Sequence, residues 1–252
     1  MVKKVYHITP ILITVFSFGA CNLEVGNPDG VESRFAAGQS ISMSMTSSMP
    51  CEAAQGTCFA APVLVNDPGS VVTFEITSAR FQLAGAALMP LAEEEIHTRA
   101  DILGGTMLDL QSPISESVTG VSLRFAAASD LIPAIELSGN FLVHTSSGNL
   151  AIPITLQYSG NLVAQAVIPA GGFPDALVFN ADQWFDFRDA KINLKPFFTG
   201  AKAGVCADSN SGSCTQYRDQ LARLVSERIA KSLFVKTRST NQKAISKGKI
   251  GG

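Results

Sequence analysis

The sequence has few of the groups on which enzyme chemistry usually depends. Its 252 residues include three histidines and one tryptophan, and only 16% of the residues are charged. It contains no G-x-S-x-G elbow for a serine nucleophile, no phosphate-binding glycine loop and no dinucleotide fingerprint. We therefore expect no cofactor and no catalytic centre of these common kinds.

The sequence also lacks a large excess of charge of either sign. Its formal net charge is −2 and its pI is about 5.9, which gives no reason to expect a nucleic-acid partner. Hydrophobic residues make up 46% of the chain, enough to form a core and to exclude disorder along the full length. The length allows one large domain or two small ones.

The first twenty residues predict a signal peptide. A short cationic start, Met1 to Lys4, precedes an uncharged and mostly apolar stretch of thirteen residues, Ile8 to Ala20. A membrane-spanning helix needs about 20 apolar residues, so this stretch is too short to remain in a bilayer. Pro10 within it also argues against a permanent membrane helix.

The end of this stretch, Phe18-Gly19-Ala20-Cys21, resembles a bacterial lipobox, and Asn-Leu-Glu-Val-Gly-Asn-Pro follows it. Gly19 and Ala20 are the small residues of that motif, whereas Phe18 departs from the usual leucine. The resemblance implies cleavage before Cys21 and lipid attachment to it; the alternative is an ordinary secretory signal in which Cys21 is incidental. Asn22 after the cysteine implies the outer membrane of a Gram-negative bacterium.

Four cysteines remain once Cys21 is set aside for lipid. They are Cys51, Cys58, Cys206 and Cys214. An even number in an exported chain predicts two disulfides, and Cys51–Cys58 with Cys206–Cys214 is the simplest of three possible pairings. Neither pair has C-x-x-C spacing or a nearby histidine, so we expect neither a redox centre nor a metal site.

From residue 41 onward, short runs of alternating apolar and polar residues predict β-strands. Residues 150–158 give the clearest run, and Pro153 within it indicates a strand at the edge of a sheet. A change of parity at Thr77-Ser78 predicts a β-bulge. Turn-forming residues at 104–105, 146–149 and 159–161 predict three hairpins. The pattern favours an antiparallel β-sandwich over residues 41–212.

The segments on either side of this domain differ from it. Residues 21–40 are polar and contain turn formers, which predicts a flexible tether between lipid and domain. Helical spacing of apolar residues predicts one amphipathic helix over residues 213–236, packed on the sandwich, with Ser213 and Gln216 as a capping box. Residues 237–252 are basic and aperiodic, and we expect a disordered tail.

Charge is unevenly distributed along the chain. Residues 215–252 contain nine Lys or Arg and two Asp or Glu. Residues 21–214 contain eight Lys or Arg and nineteen Asp or Glu. The simpler interpretation is intramolecular, with a basic helix and tail against an acidic body. The alternative is that the basic part contacts an anionic partner such as lipid head groups or cell-wall polymer.

One short segment combines carboxylates with the only tryptophan. Asp182, Trp184 and Asp186 form a possible ligand surface, because aromatic rings and acids can together bind sugars. Glycosidases also require two carboxylates about 5–10 Å apart in a cleft, so this segment would carry a hydrolase activity if the chain had one. The alternative is that Trp184 packs in the core and the acids face water.

Three other segments give weaker indications of a metal site or a catalytic group. His144 lies on the polar side of its strand, which indicates a solvated side chain. His97 follows Glu93-Glu94-Glu95, but consecutive residues of one strand or loop do not converge on a metal ion. Residues 208–212 loosely match the start of a calcium loop but lack its downstream glutamate, so a calcium-stabilised adhesin remains only an alternative.

Residues 70–199 resemble a group of bacterial β-sandwich lipoproteins of unknown function. The likeness includes Ile135-x-Leu137-x-Gly139 before a hairpin and rests on strand patterning. It implies no known active site. We therefore expect a non-enzymatic structural or binding module of the cell envelope, anchored in the membrane by lipid. Its partner would be an unidentified envelope protein or polysaccharide.

Overall fold

The computed structural model describes residues 40–49, 59–65, 72–110, 118–146, 148–169, 173–199, 202–207 and 211–238. The expected signal peptide, Cys21, Cys51 and Cys58 lie outside these residues, as do the tether before residue 40 and the tail after residue 238. The first six strands are β1 (Ser40–Thr46), β2 (Phe59–Val63), β3 (Val72–Met89), β4 (Glu94–Asp101), β5 (Thr106–Asp109) and β6 (Gly120–Phe125). The next six are β7 (Ile135–Thr145), β8 (Gly148–Tyr158), β9 (Leu162–Val167), β10 (Phe173–Asn180), β11 (Phe198–Thr199) and β12 (Lys202–Ala203). A 3-10 turn (Ala181–Gln183) follows β10, and helix α1 (Gly212–Lys231) is followed by β13 (Leu233–Arg238).

The described strands form a β-sandwich, as predicted. One sheet has the order β8-β7-β3-β6-β9, with β2 and β4 also paired to β3, and the other has the order β13-β10-β1-β5. Large apolar side chains fill the space between the sheets, because alternate residues of each strand face inward. The rings of Phe81 on β3 and Phe179 on β10 meet edge to face across this space, with centroids 5.2 Å apart. Every pairing of named strands is antiparallel except that of β1 with β10, which is parallel.

Strand β3 organises the larger sheet because its eighteen residues pair with four other strands. Its first half pairs with β2 and β7, and its second half pairs with β4 and β6. The bulge predicted at Thr77-Ser78 is confirmed, since the register between β3 and β7 shifts between Ile76 and Ser78. The shift returns alternate side chains to the core face, so Ile76 and Ala79 are both buried.

The prediction for Pro153 is also confirmed, because β8 pairs only with β7 and forms an edge of its sheet. The hairpin predicted at residues 146–149 joins β7 to β8. The hairpin predicted at residues 159–161 is wrong, because β9 pairs with β6 rather than with β8. Tyr158, the last residue of β8, lies opposite Ile135 of β7, and Leu162, the first residue of β9, lies opposite Phe125 of β6. Strands β8 and β9 therefore follow one another along the same edge of the sheet.

The hairpin predicted at Gly104-Gly105 is likewise wrong. The strand before it, β4, belongs to the larger sheet, and the strand after it, β5, belongs to the smaller one. This turn therefore carries the chain from one sheet to the other. Gly105 has a φ of 76°, a left-handed conformation that glycine adopts without strain.

The C-terminal helix is present, but its limits differ from those predicted. It begins at Gly212 with Ser211 as the N-cap, rather than Ser213, because the Thr215 N–H already donates to the Ser211 carbonyl. It ends at Lys231, and the residues predicted as its last turn instead form β13. The sandwich therefore does not stop at residue 212, since β13 pairs with β10 and completes the smaller sheet.

Helix α1 is docked on the sandwich. Its apolar stripe, Leu221, Val225 and Ile229, is buried, and the helix contacts β8 and β9. The edge formed by these two strands is therefore covered in part by the helix, which protects it from pairing with other chains.

Candidate functional site

Trp184 lies in the core, directly after the 3-10 turn. The Asn180 side-chain oxygen accepts from the Asp182 N–H and so starts this turn at the end of β10. The Trp184 ring is fully buried, and its Nε1–H donates to the Ser232 hydroxyl oxygen at 2.9 Å. The packing interpretation of Trp184 is therefore confirmed, and this ring cannot serve as a platform for a sugar.

The two acids of the predicted ligand surface serve the fold separately. Asp182 accepts from the Ser47 hydroxyl at 3.0 Å and from the Ser48 N–H at 3.1 Å, which fixes the chain at the end of β1. Asp186 forms an ion pair with Arg188, whose Nε and Nη2 lie 2.8 and 2.6 Å from the carboxylate oxygens. The structure thus brings the predicted residues into one corner of the sandwich, but each carboxylate has its own structural partner.

The ion pair affects the charge state of both groups. The hydrogen bond from the Arg188 side chain lowers the pKa of Asp186, while partial burial opposes this effect. The same hydrogen bond raises the pKa of Arg188. A carboxylate kept ionised in this way accepts hydrogen bonds and does not act as a general acid near neutral pH.

His144 contributes to the sheet rather than projecting freely into solvent. The side chain is partly buried, with Nδ1 2.9 Å from the Asn149 side-chain oxygen and Nε2 3.3 Å from the Thr73 hydroxyl. It therefore links β7 to both neighbouring strands, which corrects the prediction of a solvated side chain. The sequence could not show this, because Thr73 is distant along the chain.

His97 and the glutamates before it are exposed on and beside β4. Glu93 forms an ion pair with Arg124, whose Nε lies 2.5 Å from Oε1. Among the described residues, no three His, Cys, Asp or Glu side chains are grouped so that they could hold a metal ion.

The predicted disulfide Cys206–Cys214 is present and joins the segment after β12 to the first turn of α1. Arg218, one turn further along the helix, donates from Nη2 to the Cys206 and Ala207 carbonyls at 3.0 and 2.9 Å. These contacts hold the start of the helix to the preceding loop. Residues 208–210, part of the loosely calcium-like segment, lie outside the described residues.

A polar cleft that sequence reasoning missed lies between residues 189–191 and α1. Its volume is about 370 Å³. The charged residues that line it are Asp189, Lys191, Arg223, Glu227, Arg228 and Lys231. Cations outnumber acids by four to two, so the cleft carries a net positive charge at neutral pH. The excess of basic residues after residue 215 was the available signal, but only the fold shows where they meet Lys191.

Arg228 is the best-anchored cation of this cleft. Its guanidinium contacts the Asp189 carboxylate and lies 5.8 Å from the centroid of the Phe187 ring. Its Nε is buried and has no hydrogen-bond partner among the described residues. The other three cations lie further out, with exposed side chains at the rim. This arrangement can attract an anionic group, and its two carboxylates, Asp189 and Glu227, lie in ion pairs with Arg228 and Arg223.

The fold and these sites define a mainly-β sandwich with a docked C-terminal helix. Comparison with models of known protein families, with curated proteins and with solved structures finds no match. No helix among the described residues has both the length and the apolar character needed to cross a bilayer.

Proposed function

We propose that this chain is a lipoprotein of the bacterial cell envelope, anchored to the outer membrane through Cys21, whose β-sandwich is a non-enzymatic structural or binding module. The observation that carries the proposal is the Cys206–Cys214 disulfide, because such bonds persist in oxidising compartments outside the cytoplasm. The lipobox-like Phe18-Gly19-Ala20-Cys21 supports lipid attachment after export.

The cationic cleft is the binding surface that the geometry favours. Three cations at its rim, Lys191, Arg223 and Lys231, are exposed and can approach an anionic partner without leaving the domain surface. An acidic polysaccharide or an acidic segment of an envelope protein has the matching charge. The hydrolase alternative loses support, since the buried Trp184 is unavailable for stacking on a sugar.

The anchor is tested by the intact mass of the protein purified from membranes without reductant. We expect a chain that starts at Cys21, carries the added mass of acyl groups and gains about four hydrogens on reduction, which corresponds to two disulfides. The Cys21→Ser variant is the control and should lack the acyl mass. A wild-type chain without acyl groups would refute lipid anchoring.

The cleft is tested by binding to polygalacturonate, a simple acidic polysaccharide. Replacing both Arg223 and Lys231 by Gln should weaken the affinity about tenfold, since each exposed charge contributes up to about 1 kcal/mol. The matched control replaces Lys195 and Lys202, two exposed lysines outside the cleft, by Gln. Equal affinities for the two variants would show that the cleft has no special role.

A further inference from the structure

The edge of the larger sheet is interrupted where β8 ends. Tyr158 is the last residue of β8 and Leu162 is the first of β9, so residues 159–161 lie between the two strands. The neighbouring strands are interrupted at the same level, because Phe125 ends β6 opposite Leu162 and Ile135 begins β7 opposite Tyr158. We call residues 159–161 the strand break.

Gly160 allows the Tyr158 side chain to fold over the strand break. A Cβ at Gly160 would overlap the Tyr158 hydroxyl and lie 2.5 Å from its Cζ atom. The Tyr158 ring is half-buried and packs against the core of the sandwich. The strand break therefore presents part of an aromatic ring that the core holds in place.

A second cleft lies between the strand break and helix α1, and its volume is about 630 Å³. Residues 157–160 form one wall. The other wall consists of Gln216 and the residues three, four and seven positions after it, namely Asp219, Gln220 and Arg223, on one face of the helix. Because it contains one carboxylate and one guanidinium, we call it the neutral cleft.

The neutral cleft offers hydrogen bonds in both directions. Gln157, Gln216 and Gln220 have amides that donate and accept. Two of these amides are held in place, because Gln157 donates to Glu136 Oε2 at 3.3 Å and Gln220 donates to the Lys191 carbonyl at 3.5 Å. An amide that donates once still has a second N–H and a carbonyl oxygen with which to bind a ligand.

These groups match the chemistry of a sugar. The hydroxyls of a sugar donate and accept hydrogen bonds as the amides do, and its C–H groups pack on an apolar surface such as the Tyr158 ring. Asp219 disfavours a carboxylate in this cleft, because like charges repel. The neutral cleft therefore favours an uncharged sugar.

The neutral cleft adjoins the cationic cleft. Gln220 and Arg223 line both, and Arg223 Nη1 lies 4.0 Å from Glu227 Oε1 in the cationic cleft. The helix residues that line the two clefts extend from Gln216 to Lys231, which corresponds to about 22 Å at the rise of an α-helix. A ligand that contacts both clefts is therefore longer than a single sugar.

We propose that the two clefts bind neighbouring units of one acidic polysaccharide, with a charged sugar in the cationic cleft and an uncharged sugar in the neutral cleft. This inference rests on the proposed binding role of the cationic cleft and names the class of its ligand, a polymer in which a uronic acid alternates with an uncharged sugar. A polymer charged at every unit would place a carboxylate near Asp219 and bind less well.

The test uses calorimetric titration of the protein, purified from membranes in detergent, with three acidic oligomers of equal length. Hyaluronan hexasaccharide alternates glucuronate with N-acetylglucosamine, hexagalacturonate is charged at every sugar, and hexaglutamate represents an acidic peptide. We expect hyaluronan to bind at least about threefold more tightly than either of the others, because it alone places an uncharged sugar beside a charged one.

Two double variants separate the neutral cleft from the rest of the surface. The test variant combines Tyr158→Leu with Gln216→Ala. The control combines Tyr217→Leu with Gln183→Ala, another half-buried tyrosine and another exposed glutamine outside both clefts. The test variant should lose about tenfold in affinity for hyaluronan, since it removes an aromatic contact and a hydrogen bond, and the control less than about threefold. Gln216→Ala alone changes an exposed residue and should lose about threefold, which keeps the test valid if the Tyr158 replacement unfolds the domain.

Asp219→Asn tests the selectivity for an uncharged sugar. It should raise the affinity for hexagalacturonate about threefold, because it removes a repelling charge, and should change the affinity for hyaluronan less. Asp130→Asn, which removes an exposed carboxylate outside both clefts, is the matched control and should change neither affinity.

Three results would overturn the inference. They are equal losses of hyaluronan affinity in the two double variants, no effect of Asp219→Asn on hexagalacturonate, or tightest binding of hexaglutamate, which would identify an acidic peptide as the partner. If binding of hexagalacturonate still depends on Arg223 and Lys231, such a result refutes only this inference. If replacing Arg223 and Lys231 by Gln weakens neither oligosaccharide, the proposed role of the cationic cleft is refuted as well.

Discussion

At the scale of single residues, the hydrogen bond between Trp184 and Ser232 joins parts of the chain that are distant in sequence. The Ser232 hydroxyl accepts from Trp184 Nε1–H and donates to the Ile229 carbonyl at 2.8 Å, so it also closes the end of α1. Both side chains are buried, and loss of either would leave a polar group without its partner.

We predict that Ser232→Ala lowers the free energy of unfolding by about 1–3 kcal/mol, because it leaves Nε1 buried and unpaired. Trp184→Phe should also destabilise, and the double variant should lose less than the sum of the two single losses. Urea titrations of all three variants measure the coupling. Strictly additive losses would contradict a shared hydrogen bond.

The ion pair of Asp186 with Arg188 predicts a dependence of stability on pH. Asp186→Asn should lower the free energy of unfolding at neutral pH by less than about 1 kcal/mol, since the pair is at the surface. The pKa of Asp186 is lowered from 3.8 in the folded state, so its stabilisation is present above that value and lost as the pH falls through the folded pKa.

Urea titrations of wild type and Asp186→Asn at about pH 7, 4 and 2 measure this effect. Their difference should shrink towards the lowest pH. Arg188→Gln serves as the control, because it removes the same pair from the other side. A difference that persists unchanged in acid would assign the effect to something other than the charge of Asp186.

Sequence reasoning offered two roles for Trp184, a ligand surface and core packing, and it could not identify the partner of its ring nitrogen. Phe185 and Phe187 close to Trp184 in the sequence favour core packing, because large aromatic rings contribute most when they are buried. Ser232 could not be identified, because its contact depends on where α1 ends. The cleft could not be predicted for a similar reason, because it forms only where Lys191 and α1 are adjacent in the fold.

At the scale of secondary-structure elements, Gly139 allows β7 to lie close to β3. It pairs with Ile76 of β3 on one side and with Ile154 of β8 on the other. A Cβ at this position would overlap the Glu75 carbonyl oxygen and lie 2.6 Å from Phe74 Cε1. The glycine of the Ile-x-Leu-x-Gly pattern in β7 therefore has a steric cause in this fold.

We predict that Gly139→Ala destabilises the domain by about 1–3 kcal/mol or more, because the Phe74 ring and the β3 backbone would have to shift. Gly212→Ala is a matched control at the start of α1, where a Cβ would meet nothing within 4 Å. The control should be neutral or stabilising by up to about 1 kcal/mol. Thermal unfolding of both variants tests the contrast.

The assignment of residues 233–238 to a strand predicts opposite outcomes for neighbouring substitutions. Val235 is 7% exposed and faces the core, whereas Phe234 is 41% exposed on the other face. Val235→Asp should cost about 3 kcal/mol or more, because it buries a charge without a partner. Phe234→Asp should change stability by no more than about 1 kcal/mol. Similar losses for the two variants would contradict the strand.

Strands with strict alternation were the most predictable elements, and junctions were the least. Leu233 lies four residues after Ile229, so the apolar pattern fits a longer helix as well as it fits a strand that begins there. Only pairing with β10 favours the strand. Likewise, the turn formers at 159–161 and 104–105 indicate where one strand ends and another begins. They do not specify which strand the following strand pairs with.

At the scale of the whole molecule, the Cys206–Cys214 disulfide should stabilise the domain by restricting the unfolded chain. The eight-residue separation corresponds to about 2–3 kcal/mol in the chain-entropy estimate. We predict that the Cys206→Ala, Cys214→Ala double variant loses about this much in urea titrations. Reduction of the Cys51→Ala, Cys58→Ala variant provides the matched comparison, since it leaves only this bond to break. No loss in either measurement would contradict the prediction.

The sandwich itself was predictable because alternation and turn formers recur along most of the chain. Its strand order was not, because β1 joins β10 in parallel and β13 completes the sheet from beyond the helix. Alternation specifies which face a residue occupies, but it does not specify the neighbouring strand.

The order of the smaller sheet has a consequence for the kinetics of folding. Ser42 must meet Ala176, and Leu177 must meet Val235, so the first and the last described strands assemble around β10. A chain that has been synthesised only as far as β9 can pair β1 with β5 but not with β10, and the smaller sheet is complete only once β13 has been made. Such late, long-range closure makes folding slow.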